Sequence, residues 1–260
     1  MMDPAAASSA ALALDIRGLG LHFGALRAID GVSLAVPVGE RHVLLGTNGA
    51  GKTSLFNTIS GDLRPSVGSI RLFGEDVTRL PSWRRARLGV ARTYQSSLLF
   101  GELSVADNLY VAVRGARAGR FSLHREPANA AARLEAQALA MQVGLGAHCE
   151  RQVALLSHGQ QRQLEIGMAL ASRPRLLLLD EPAAGLSPAE RQMLIGLIAA
   201  LPLALTTVLI EHDMDVALAL ADRVTVMKDG RVVLQGDPDE VRASPQVQRI
   251  YFGESLETAA

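Results

Sequence analysis

His42-Val43-Leu44-Leu45-Gly46-Thr47-Asn48-Gly49-Ala50-Gly51-Lys52-Thr53 is the stretch on which the reading of this 260-residue chain turns. An apolar strand runs into a glycine-rich loop, and Ser54-Leu55-Phe56-Asn57-Thr58-Ile59 continues as a helix. Gly46, Gly49 and Gly51 permit backbone conformations and close approaches that a Cβ would block, so successive N–H groups can face the oxygens of a phosphate. The helix start adds its partial positive charge. The spacing is that of a GxxxxGK[ST] phosphate loop in its strand–loop–helix context, with Asn48, Ala50 and Ser54 completing the cradle. Lys52 is placed to reach the β- and γ-phosphates and the Thr53 hydroxyl to ligate Mg²⁺. Lysine occurs only at Lys52 and Lys228, which makes a chance match at this spacing improbable.

Two further apolar runs end in acids and bases. Leu176–Leu179 leads into Asp180-Glu181-Pro182, and a strand here, set beside the phosphate-loop strand, delivers both carboxylates to the carboxyl edge of the sheet, where open α/β sheets bind ligands. Asp180 is then the Mg²⁺ partner, directly or through water, and Glu181 suits the orientation and polarisation of an attacking water. Thr207–Ile210 leads into Glu211-His212-Asp213, which puts His212 at the same edge, able to donate to a γ-phosphate or to that water.

Around these motifs, short β-branched or leucine-rich runs recur at 32–36, 69–73, 224–227 and 232–234, with helical stretches between several of them. Lys228-Asp229-Gly230-Arg231 is a hairpin signal, so antiparallel pairing accompanies a parallel core. Between about 96 and 173 alanine, leucine, glutamine and arginine dominate, and helical spacing holds over 130–141 and 160–171, as in a helical insertion. Residues 114–128 read as a surface loop. The expected fold is α/β: a phosphate-loop NTPase core sheet with an antiparallel β part and a helical insertion subdomain.

Composition narrows the function. Twenty-six basic residues balance 26 acidic ones, so no net field favours nucleic acid or anionic lipid. The single cysteine, Cys149, and the absence of CxxC pairs fit a reducing compartment without structural zinc. The uncharged stretch 194–210 has 17 residues with Pro202 inside it; a span needs about 20, so it reads as a helix end, a turn and a strand over 206–210. The N-terminus carries Asp3 where an export signal wants positive charge, and residues 1–11 are expected to form a disordered tail.

Leu156-Ser157-His158-Gly159-Gln160 opens the second helical stretch, with Ser157 as cap, and presents another helix start suited to an anion. Two such starts for one nucleotide are explained if two copies share each ATP, one giving the phosphate loop and the other Ser157, Gly159 and Gln160.

LSHGQ together with GTNGAGKT, LLLLDEP, Gln95 in ARTYQ, and EHD resembles the ATP-binding-cassette ATPases of membrane transporters, over about residues 12–253. The resemblance implies one cassette, with a core of about 12–95 and 174–236, a helical subdomain of about 96–173 and a C-terminal helical tail of 237–253. It implies that Gln95 links the Mg²⁺ site to a transmembrane partner and that Phe23 stacks on adenine, for which a flat aromatic is suited. The second motif is usually LSGGQ, with glycine where this chain has His158, and Ser187 in AAGLSP stands where most of the family has aspartate.

ARTYQ followed by LLFGELSVADNL, QQRQLEIGMAL, EPAAGLSPAE, IEHDM and the terminal QRIYFGE further resemble the cytoplasmic ATPase subunits of branched-chain amino acid uptake systems and their urea and amide relatives. That resemblance implies MgATP hydrolysis at a head-to-tail dimer, homo- or heterodimeric, on transmembrane permease chains at the cytoplasmic face of the inner membrane, without nucleic acid. Two alternatives stand beside it. The lipopolysaccharide-export ATPases share a related tail, though ARTYQ and IEHDM argue against them. Soluble ABC proteins acting on DNA or ribosomes usually carry two cassettes or a coiled-coil insertion, and this chain has no heptads.

Overall fold

The computed structural model describes residues 11–94, 98–117 and 129–252. In chain order it contains β1 (Leu12–Phe23), β2 (Leu26–Pro37), β3 (Arg41–Leu45), α1 (Lys52–Ser60), β4 (Val67–Leu72), β5 (Glu75–Asp76), α2 (Ser82–Arg87), β6 (Val90–Arg92), α3 (Val105–Arg117) and α4 (Asn129–Gln142). After two 3₁₀ turns follow α5 (His158–Leu170), β7 (Leu176–Asp180), α6 (Pro188–Ala199), β8 (Thr206–Glu211), α7 (Met214–Leu220), β9 (Arg223–Lys228), β10 (Arg231–Gly236), α8 (Pro238–Ala243) and α9 (Pro245–Phe252).

Two sheets result. The antiparallel one runs β2-β1-β4-β5 and the other β10-β9-β3-β8-β7-β6, parallel except for the β9–β10 hairpin. Asp229 and Gly230 both adopt positive φ, as a two-residue hairpin turn requires. The fully apolar run Leu176–Leu179 is explained by burial on both faces of the second sheet. Leu176 and Leu178 join Leu44, Leu55, Phe56 and Ile59 in a core shared with the antiparallel sheet, whereas Leu177 and Leu179 join Val43, Leu45 and the helices of the opposite face. Helix α1 thus lies between the two sheets, with the phosphate loop at its start.

Several expectations are corrected. The strand carrying Asp180 is not beside the phosphate-loop strand: β8 lies between β7 and β3. An all-apolar strand says that both its faces are covered, not which strand it pairs with. Strand β1 escapes a search for alternation because Gly18 and Gly20 coincide with register shifts in its pairing with β2 and β4. Residues 114–117, read as loop, continue α3, since Gly115 has open space around it and no breaker follows until beyond the helix. The rest of that expected loop, 118–128, lies outside the described residues. So do residues 1–10 of the expected disordered tail, whereas Ala11 is tied to the fold by its carbonyl, which accepts from the Val38 amide at 2.9 Å.

Candidate functional site

The loop between β3 and α1 is built around close backbone approaches. Gly51 adopts φ 95°, and a Cβ there would lie 2.5 Å from the Ala28 carbonyl oxygen. A Cβ on Gly46 would meet the Met227 carbonyl at 2.5 Å. Side chains at either position would push the loop away from the β1–β2 hairpin or from β9. A cleft of about 440 Å³ opens between residues 48–54, the hairpin at 26–28, Glu181 and the turn at Asp229 and Gly230. Asn48, Gly49 and Thr53 are exposed, Ser54 is half-buried and Ala50 is buried.

Lys52 is folded back, its Nζ donating to the carbonyls of Gly46 at 2.6 Å and Thr47 at 3.0 Å. Burial lowers its pKa, opposed by the negative charges of Glu181, Asp180 and Glu211. That opposition locates the acidic strand ends: all three carboxylates act on the loop lysine.

Asp180, at the end of β7, is buried. Its Oδ2 accepts from Arg92 Nη2 at 2.9 Å, and Oδ1 has no hydrogen bond among the described residues. Arg92 also donates to Asn57 Oδ1 at 2.6 Å and to Ser60 and Asp62, so one guanidinium joins β6, the end of α1 and the acidic strand. Neither Arg92 nor Asn57 stood out in the sequence as a site residue; within ARTYQ that role was expected of Gln95, which lies outside the described residues.

Glu181 has φ 46°, an uncommon conformation for a residue with a Cβ. Three bonds hold the turn: the Glu181 amide donates to the Ile210 carbonyl at 3.0 Å, the Ala184 amide to the Glu181 carbonyl at 3.1 Å, and the Ala183 amide to Glu211 Oε1 at 3.2 Å. His212 Nδ1 stands 3.7 Å from Glu181 Oε2, so the ends of β7 and β8 bring the acid and the histidine together. Glu211, overlooked in the sequence beside His212, is buried, and burial pushes its carboxyl up to about 7. The charges of Glu181 and Asp213 contribute to that rise, and the amides of Ala183 and His212 oppose it.

Phe23, at the tip of the β1–β2 hairpin opposite Leu26, is 51% exposed and is not a core residue. Ser157, Gly159 and Gln160 do not line the loop cleft. They open α5, where Ser157 and Gln160 form a capping box. Ser187 caps α6 in the same way with Glu190, and its hydroxyl thus serves its own helix. His158 approaches the D-E-P side, because a Cβ on Gly185 would lie 3.3 Å from its ring. No cluster of three His, Cys, Asp or Glu residues suited to a metal exists among the described residues. Thr53 and the free oxygen of Asp180 fit instead a Mg²⁺ that takes most of its ligands from phosphate and water.

The sequence profile described as ABC transporter matches residues 29–184, from the β2 hairpin through the acidic strand. The chain belongs to the ABC transporter family. It is 40% identical over 250 residues to the high-affinity branched-chain amino acid transport ATP-binding protein BraF of Pseudomonas aeruginosa, covering 93% of this chain and 98% of that protein. It is 41% identical to LivG of Salmonella typhimurium and 40% identical to LivG of Escherichia coli, which carry the same description, at the same coverage. Among solved structures, an ABC-transporter cassette in its ADP conformation superposes with a TM-score of 0.83 at 28% identity, covering 94% of this chain and 99% of that one. A nucleotide-free cassette gives 0.82 at 27% identity, covering 94% and 100%. The chain is therefore an ABC ATPase subunit with the cassette fold. No helix among the described residues is long and apolar enough to cross a membrane.

Proposed function

We propose that this chain hydrolyses MgATP at sites shared head-to-tail between two ATPase subunits, and so drives uptake of branched-chain amino acids or related amides through transmembrane permease chains. The likeness to BraF and LivG over 93% of the chain supports the cargo class. The observation that carries the shared site is the separation within one chain: Lys52, Thr53 and Glu181 face one cleft, while the anion-ready start of α5 lies outside it. A second subunit, identical or related, supplies the missing α5.

In this reading the loop amides and Lys52 bind the phosphates, Lys52 exchanging its bonds to the Gly46 and Thr47 carbonyls for the β- and γ-oxygens. Phe23, exposed at the hairpin tip, stacks on adenine. Glu181, held in its turn by Glu211 and Ile210, orients the attacking water and takes its proton, and His212 beside it donates to the γ-phosphoryl oxygens. Thr53, Gln95 and Asp180 would hold Mg²⁺, which when bound neutralises charge between the β- and γ-phosphates. Ser157, Gly159 and Gln160 of the other subunit cap the γ-phosphate.

An open groove of about 300 Å³ lies between Arg92–Tyr94, Leu98, Leu99 and the α3 and α5 residues Ala112 and Met168. Tyr94 and Leu98 are exposed there, and this groove is the proposed seat of a permease segment at the cytoplasmic face of the inner membrane. The cassette is proposed to comprise residues 12–253, with the helical part over about 96–173.

The test is complementation. In cells lacking their own ATP-binding subunits, the wild-type chain with its permeases is expected to restore leucine uptake. Glu181→Gln is expected to bind ATP with turnover reduced roughly a hundredfold or more. Turnover that survives Glu181→Gln would overturn the mechanism, and uptake of none of these solutes would overturn the cargo.

A further inference from the structure

The start of α5 already holds an anion, and it comes from the same chain. Glu190, in the first turn of α6, places Oε1 2.7 Å from the Ser157 hydroxyl and 3.0 Å from the Gly159 amide. Its Oε2 accepts from the Ser187 hydroxyl at 2.8 Å and the Ser187 amide at 3.1 Å. These donors hold the carboxyl well below the usual range, at about 2, with the Ser157 hydroxyl the largest cause. The seat is shaped to the carboxylate: a Cβ on Gly159 would lie 2.8 Å from Glu190 Cγ and 2.9 Å from Oε1.

Hydroxyl and amide donors have one proton each. While Ser157 and Gly159 give theirs to Glu190, neither can bond a phosphate oxygen, and an incoming γ-phosphate would also meet a like charge. We infer that Glu190 is an internal competitor for the γ-phosphate of ATP carried by the opposing subunit, and that its Oε1 must leave the start of α5 before two subunits close on that ATP. This rests on the shared-site reading and adds to it a residue that sets the ATP concentration needed for pairing. Departure leaves the fold intact, because the capping box with Ser187 retains Oε2 while Oε1 turns to solvent. The same bonds tie the start of α5 to the start of α6, so leaving also frees one helix from the other.

The experiment is ATP-driven pairing in a Glu181→Gln background, followed by light scattering during a MgATP titration. Glu190→Asp keeps the charge and the bonds to Ser187 but is one methylene too short for Ser157 and Gly159; Glu190→Ala removes the carboxylate. Thermal unfolding of each monomer checks that it folds. Both variants are expected to reach half-maximal pairing at about tenfold less ATP, the worth of one charge-assisted hydrogen bond per site. An unchanged or increased ATP requirement, with pairing itself intact, would overturn the competition and leave the shared site standing. If Glu181→Gln alone binds ATP but never pairs, the shared site falls and the competition with it.

Discussion

Glu211→Gln isolates the cost of burying a carboxyl beneath the turn that carries Glu181. Glu211 is 1% exposed; Oε1 accepts from the Ala183 amide, and Oε2 has no hydrogen-bond partner among the described residues. Its pKa rises from 4.5 to about 7, because burial disfavours the charged form and Glu181 and Asp213 repel it. The sign follows from proton counting. Between those two values the folded chain binds more protons at this position than the unfolded chain, so stability falls as pH rises through the window and is constant above it. At 1.36 kcal/mol per unit, the shift corresponds to a loss on the order of 3 kcal/mol. Glutamine keeps the acceptor for Ala183 and is neutral throughout. Urea unfolding of both proteins near pH 5 and near pH 8 is the assay. The variant is expected to match wild type at the acid end and to exceed it by up to about 3 kcal/mol at the alkaline end. Stability curves that stay parallel across the window would refute the reasoning, since the carboxyl would then titrate alike folded and unfolded.

Arg92→Met leaves Asp180 buried without its cation and is expected to cost about 3 kcal/mol, read from denaturant midpoints; adding Asp180→Asn should recover part of that loss, because the unpaired charge is then gone. Lys52→Ala is expected to weaken ATP binding roughly 10- to 100-fold in equilibrium dialysis, the loss of one charge-assisted contact to the phosphates, while the nucleotide-free fold is retained.

Chemistry written in contiguous residues was legible from the sequence. The phosphate loop, the paired acids after an apolar strand, His212 after the next one, the Ser157 cap and the Asp229-Gly230 turn each need only neighbours a few positions away. Strand and helix boundaries were less legible where the local pattern is interrupted: the bulges at Gly18 and Gly20 hide the alternation of β1, and three residues are too few to mark β6. Leu176–Leu179 announced a doubly covered strand but not that β8 separates it from the phosphate loop, since burial on two faces is silent about the strand at either edge.

What tertiary structure alone decided are the polar contacts between distant segments. Arg92 meets Asp180 across 88 positions, and Glu190 meets Ser157 across 33. Glu211 looks like any acid beside a histidine until β8 is packed between β3 and β7, where it loses water and keeps only the Ala183 amide on Oε1. Sequence specifies which groups can bind, charge or cap. Only the packed sheet and helices decide which of those groups lose their water and must find each other instead.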